Sequence, residues 1–186
     1  MRAITIEQGA LQFRNDAPEP VPVDDEVVLQ VIQAGLCETD LQLARGYRGF
    51  SGILGHEFVG VATTGRFAGQ RVVGEINCNC RACPRCRDGL GNHCSHRTVV
   101  GIDRHDGAFA DSVAIPEHHL HAIPASVSDD QAVFVEPLAA ALQIAEQVDL
   151  ANRRTILLGD GRLAYLCAQV LGQSTHQVNW HLLKIS

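Results

Sequence analysis

The chain has 186 residues, is 46% hydrophobic and 19% charged, and carries a formal net charge of −6 with a sequence pI near 5.8. That length holds one good core, or one domain and part of another, and the composition is globular rather than disordered. It excludes the basic footprint of a nucleic-acid binder, a polybasic membrane-surface anchor, and any apolar run near the ~18 residues of a membrane span.

The chain opens on Met1–Glu7, which lacks the apolar core of a signal peptide; a cytoplasmic protein with no membrane or nucleic-acid partner is expected. Ala3–Ile6 and Val27–Ala34 read as strands, separated by a surface loop over Asp16–Asp25 with Pro18, Pro20 and Pro22. Val59–Ala62 and Gln70–Gly74 read as further strands around a Thr63–Gly69 turn, and Ala108–Ile115 as another. Many short strands without helical spacing predict a small, irregular β-barrel. After Pro124 the pattern changes. Ser128–Asp130 is a polar helix start, and Ala132–Val148 is helical, with a break or fresh start at Pro137. Thr155–Leu158 predicts a buried strand, Gly159-Asp160-Gly161 a turn, Arg162–Leu171 a helix and Gln177–Ile185 a weaker strand. This β-turn-α-β order is the opening unit of a dinucleotide fold.

Cys80, Cys83, Cys86 and Cys94 follow the spacing C-x2-C-x2-C-x7-C. Four thiolates so placed can close a tetrahedral shell around one Zn²⁺ with no open position, which folds a loop and does no chemistry. A redox-active Cys-x-x-Cys pair and an iron–sulfur cluster are the other readings. Cys78 stands close enough in sequence to compete with Cys80, and His93 adjoins Cys94. A second group is Cys37-Glu38-Thr39-Asp40 with Gly55-His56-Glu57 some twenty residues later, to which Glu136 can return as a further ligand. Thiolate, imidazole and carboxylate suit an open zinc site, although each residue alone also fits ordinary core or surface. His118, His119 and His121 read as the surface end of a strand, and Cys167 as core.

Taken in order, these motifs resemble the zinc-containing medium-chain dehydrogenases, the superfamily of zinc alcohol, polyol, glucose and threonine dehydrogenases. Cys37-x-Thr39-Asp40 is similar to the family's catalytic Cys-x-[Ser/Thr]-Asp segment, Gly55-His56-Glu57 to its Gly-His-Glu, and Cys80, Cys83, Cys86 and Cys94 to its structural-zinc lobe. Glu136-Pro137-Leu138-Ala139 resembles the segment that bears another catalytic-zinc ligand, and Gly159-Asp160-Gly161-Arg162-Leu163-Ala164 its nucleotide loop. The resemblance implies a mainly β GroES-like barrel over residues 1–150, with a structural zinc lobe, then the first β-α-β of an incomplete Rossmann domain over 151–186. It implies two zinc ions, one catalytic and one structural, and NAD or NADP.

By the same resemblance Cys37 and His56 hold catalytic zinc. Glu57 and Glu136 bind it directly, through water or in alternation; Thr39 passes the alcohol proton onward; and Asp40 holds the His56 ring. Gly159, Gly161 and Ala164 contact the nucleotide. The expected reaction moves hydride between a small alcohol, polyol or sugar and NAD(P). Gln42 stands where alcohol dehydrogenases often carry a relay histidine, and the acidic residue that binds a ribose hydroxyl is missing from 180–186, where Lys184 lies instead. A chain shortened after the start of the nucleotide domain is therefore expected, with its oligomeric state open. The alternative is a catalytically inactive zinc-binding or assembly module.

Overall fold

The computed structural model describes residues 1–150, 155–174 and 178–181. Two units separate within the chain, Met1–Phe134 and Val135–Ser186. In the first, β1 (Ala3–Glu7) and β2 (Ala10–Arg14) form an antiparallel hairpin. Its turn uses Gln8 and Gly9, both at positive φ (51° and 79°), the backbone that tight hairpins require. Sequence reading missed β2: four of its five residues are exposed, so no burial pattern marks it.

β3 (Glu26–Gly35) is the longest strand and leads into α1 (Glu38–Ala44). There follow β4 (Gly52–Ile53), β5 (Glu57–Ala62), β6 (Arg71–Gly74) and β7 (Asn77–Cys78). The cysteine lobe contains the short α2 (Pro84–Arg87) and closes on β8 (Thr98–Val99), which pairs with β7. Last come β9 (Ser112–Pro116), β10 (Leu120–Ala122) and α3 (Asp129–Ala132).

The main sheet is antiparallel in the order β10-β6-β5-β3-β9, and a second has the order β2-β1-β4. Period-two alternation in β3 sends Val27 and Leu29 into a core shared with Phe58, Val72, Val113, Ile115 and Leu120. A bulge between Val31 and Gln33 bends the strand just before its functional end. The result is a curled antiparallel half-barrel, as the sequence predicts.

The expected strand over Ala108–Ile115 is recovered only from Ser112 onward. Ala108–Asp111 runs between the sheets instead: Ile4 N–H donates to Phe109 O at 2.8 Å, and the N–H groups of Phe109 and Ala108 donate to Leu54 O and Gly55 O, each at 2.8 Å. The helix expected from Ala132 is two helices. Ser128 caps α3, its hydroxyl accepting from Gln131 N–H at 3.3 Å while Gln131 Oε1 accepts from Ser128 N–H at 3.0 Å.

The second unit begins with α4 (Val135–Gln147). Pro137 falls in its first turn, where a missing N–H costs nothing, so the proline marks a fresh start. β11 (Thr155–Leu158), α5 (Arg162–Ser174) and β12 (Val178–His181) follow, the two strands pairing in parallel with Thr155 opposite Val178. The strand expected to be buried is not: alternation turns Ile156 and Leu158 outward, 64% and 61% exposed. Ala141 of α4 packs with Cys167 and Val170 of α5, so Cys167 is core. Gln177 and residues 182–185 of the expected second strand, Lys184 included, lie outside the described residues. Among the described residues no helix is long and apolar enough to cross a membrane.

Candidate metal centre

Two donor groups form in the first unit, where the motifs place them. Cys37, His56 and Glu57 each offer an atom within 4.8 Å of the others. Cys37 follows β3 by two residues and caps α1, its N–H donating to Asp40 Oδ2 at 2.8 Å. His56 and Glu57 enter from the start of β5 and are 3% and 4% exposed, so two ionisable groups stand in the protein interior. Burial of that kind is costly unless a charge partner or a metal compensates.

Asp40 supplies one compensation. It is 1% exposed, and its Oδ1 lies 3.3 Å from His56 Nδ1, although neither atom completes a well-aligned hydrogen bond. Burial alone would lower the imidazole's pKa; hydrogen bonds and charge from Asp40, then Cys37, outweigh it and raise the value to about 10. With Nδ1 turned to Asp40, Nε2 is the nitrogen left to coordinate, the usual arrangement of a ligating histidine. Thr39 Oγ1 is 3.6 Å from Cys37 Sγ. Glu38, whose charge the sequence sets beside this group, is exposed and engaged by Gln42 Nε2 at 2.9 Å and Arg45 Nη1 at 3.9 Å. Gln42 thus serves the helix surface.

Sequence reading missed how His56 is aimed. Gly55 has φ +97°, and a Cβ there would meet Phe109 N at 2.7 Å. Gly101 and Gly107 close on Gly55 from other sides: a Cβ on Gly101 would lie 2.5 Å from Gly55 O, and one on Gly107 2.6 Å from Leu54 C. Three backbones meet where only glycines fit. Glycine frequency in the sequence carries no hint that Gly101 and Gly107 meet Gly55.

The second group is Cys80, Cys83, Cys86 and Cys94. Its sulfurs are separated by 4.0 Å (Cys80–Cys86), 3.5 Å (Cys83–Cys86), 3.8 Å (Cys83–Cys94) and 3.5 Å (Cys80–Cys94). Zn–S bonds of about 2.3 Å put tetrahedral sulfurs about 3.8 Å apart, so four edges of the right tetrahedron are present. Backbone N–H groups face the sulfurs: Cys83 N to Cys80 Sγ at 3.4 Å, and His96 N to Cys94 Sγ at 3.3 Å. The pKa of Cys83 is drawn down to about 6, chiefly by the Cys86 backbone, while burial and its neighbours push that of Cys86 up to about 12.

Cys78 is not a competitor. It is buried in the barrel core, and burial pushes its thiol up to about 12. His93 is exposed and outside the four-sulfur group. The histidine run divides: His121 is exposed and bonds Glu75 Oε1 at 2.9 Å, whereas His119, expected on the surface, is 3% exposed. Its Nδ1 faces Glu75 Oε2 at 3.2 Å, and its Nε2 accepts from Asn79 N–H at 3.4 Å. The irregular turn Glu117–His119 rotates it inward, which strand alternation does not foresee.

In the second unit Glu136 stands half-buried in the first turn of α4. Gly159 (φ +149°) and Gly161 form the turn between β11 and α5, and a Cβ on Gly159 would lie 3.1 Å from Ala164 Cβ. A small residue at 164 thus lets the turn close on the helix, the packing a G-x-G-x-x-A loop needs.

The family described as the alcohol dehydrogenase GroES-like domain matches residues 23–125. The chain belongs to that family. Its relatives place it in the medium-chain dehydrogenase/reductase superfamily. It is 35% identical over 176 residues to an L-threonine 3-dehydrogenase of Chelativorans sp. (strain BNC1), covering 88% of this chain and 50% of that one. It is 32% identical over 166 residues to the L-threonine 3-dehydrogenase of Coxiella burnetii (strain Dugway 5J108-111), covering 83% and 48%. The short chain alcohol dehydrogenase of Escherichia coli CFT073, solved with cofactor NADH, superposes with a TM-score of 0.87 at 29% identity, covering 97% of this chain and 56% of that one. The chain spans about half the length of the curated relatives it matches.

Proposed function

We propose that this chain carries the metal-binding half of a zinc-dependent alcohol dehydrogenase that moves hydride between a small alcohol, polyol or sugar and NAD(P). The observation that carries the reading is the trio of half-buried Cys37 with buried His56 and Glu57, Asp40 standing behind the imidazole. Its donors fit Zn²⁺: a soft thiolate, a nitrogen faced from behind by a carboxylate, and a carboxylate oxygen. Cys80, Cys83, Cys86 and Cys94 fit a second, closed zinc site that staples the lobe.

Zinc bound at the trio supplies Lewis acidity, which lowers the pKa of an alcohol hydroxyl. The chain's own residues do the rest. Asp40 fixes the imidazole ring and the Cys37 backbone together, so two donors are positioned by one carboxylate. Thr39, half-buried and next to Cys37 Sγ, takes the hydroxyl proton and passes it toward solvent. Glu57 serves as a metal ligand, directly or through water. Gly159, Gly161 and Ala164 shape the turn that receives the dinucleotide phosphates. The relatives named L-threonine 3-dehydrogenase favour an amino alcohol among these substrates.

The test is formation of reduced nicotinamide by the purified protein, supplied with threonine, polyols or simple secondary alcohols and either nicotinamide. Turnover that chelation abolishes and zinc restores supports the reading. Turnover that survives chelation and the Cys37→Ala substitution contradicts it.

A further inference from the structure

We infer that Gly35 is a positioning residue of the metal centre, acting through Glu57; this rests on the functional reading above. Gly35 is the last residue of β3 and lies directly opposite Glu57 of β5 in the strand register. It stands two positions before Cys37, so the strand that delivers the thiolate also sets the floor beneath the carboxylate. A Cβ built on Gly35 would fall 2.8 Å from Glu57 Oε2, 3.3 Å from Glu57 Cβ and 3.3 Å from Val133 Cγ1. The Glu57 carboxylate thus occupies the volume that a methyl group at 35 would take.

Space excludes a side chain here. No left-handed φ marks Gly35, in contrast to Gly55, so alanine fits its backbone. What must yield is what surrounds the methyl. Val133 is buried and leaves little room on its side. Glu57 is 4% exposed, but Oε2 is the far end of a flexible side chain, and it moves at least cost. A methyl at 35 therefore pushes the Glu57 carboxylate aside and leaves Cys37 and His56 in place. The single hydrogen at this position sets how closely Glu57 approaches the bound metal.

A double-mutant comparison of metal affinity tests this. Zinc affinity is measured by chelator competition on the full chain for wild type, Gly35→Ala, Glu57→Ala and the double variant. The four-cysteine zinc reports in each case that the chain is folded. Gly35→Ala is expected to weaken the trio's zinc about 10-fold, the lower end of the effect of groups that orient ligands, and to leave the four-cysteine zinc unchanged. In the Glu57→Ala background the same substitution is expected to change little, because the colliding oxygen is gone. Equal weakening in both backgrounds, or no weakening in either, overturns the inference while the functional reading stands. A wild-type chain that binds zinc only at the four cysteines overturns both.

Discussion

Asp40 Oδ1 lies 3.3 Å from His56 Nδ1 while Asp40 Oδ2 accepts the Cys37 N–H at 2.8 Å. One buried carboxylate thereby ties a donor on α1's cap to a donor at the start of β5. The link helps to offset the burial of a 1% exposed aspartate: Oδ2 accepts the Cys37 N–H, and Oδ1 faces the buried imidazole.

Replacing Asp40 by alanine leaves the Cys37 N–H and His56 Nδ1 without that partner. The expected cost is about 1–3 kcal/mol of stability and a loss of about 10- to 100-fold in affinity for the metal at the trio. Denaturant unfolding and chelator competition measure the two, and Asp40→Asn is expected to retain more of the stability than of the affinity.

Gly55→Ala is expected to cost at least about 1–3 kcal/mol, the range for a non-glycine residue held at strained φ. Contact with the Phe109 backbone adds to it. Thermal unfolding reads the loss, and the same substitution at Gly9, where nothing lies within 4 Å, separates φ strain from crowding.

His119 makes stability fall in acid. Burial first, then the His118 ring at 4.1 Å, hold its pKa below the ordinary histidine value, against the pull of Glu75 and Asp25. A depressed histidine contributes stability that is fully present above its unfolded pKa of about 6.5 and is lost as pH falls through the lower folded value, because the unfolded chain then binds more protons. Unfolding measured across that window should show wild type losing more stability than His119→Gln. Equal loss in the two proteins would count against the assignment.

The cysteine lobe should open when its cation is removed. Chelation, or Cys83→Ser, is expected to speed amide exchange across residues 80–94 while the sheet of β3, β5 and β6 keeps its protection. Among the described residues the lobe carries only short helical turns, so the sulfurs are its main organiser.

Spacing and alternation made much of this legible. The interval between the four cysteines is enough to foresee that their sulfurs gather, and the apolar runs of Val27–Ala34 and Thr155–Leu158 are enough to foresee strands, though not that Ile156 and Leu158 face outward. Ser128 announced a helix because its hydroxyl and Gln131 form a capping pair that depends on local sequence only. What stayed hidden depends on contacts between distant segments. β2 lacks a buried face, His119 is turned inward by a local irregularity, and Ala108–Asp111 is diverted by partners on β1 and the Leu54–Gly55 segment. Gly101 and Gly107 gain meaning only from their approach to Gly55, and Gly35 from its register with Glu57.

The most direct measurement is the zinc content per chain of the purified protein and its Cys37→Ala variant, after weakly bound metal has been removed. The account predicts two zinc ions in the wild type and one in the variant, with the four-cysteine site intact. A wild type that holds one or none, or a Cys37→Ala variant that still holds two, contradicts it.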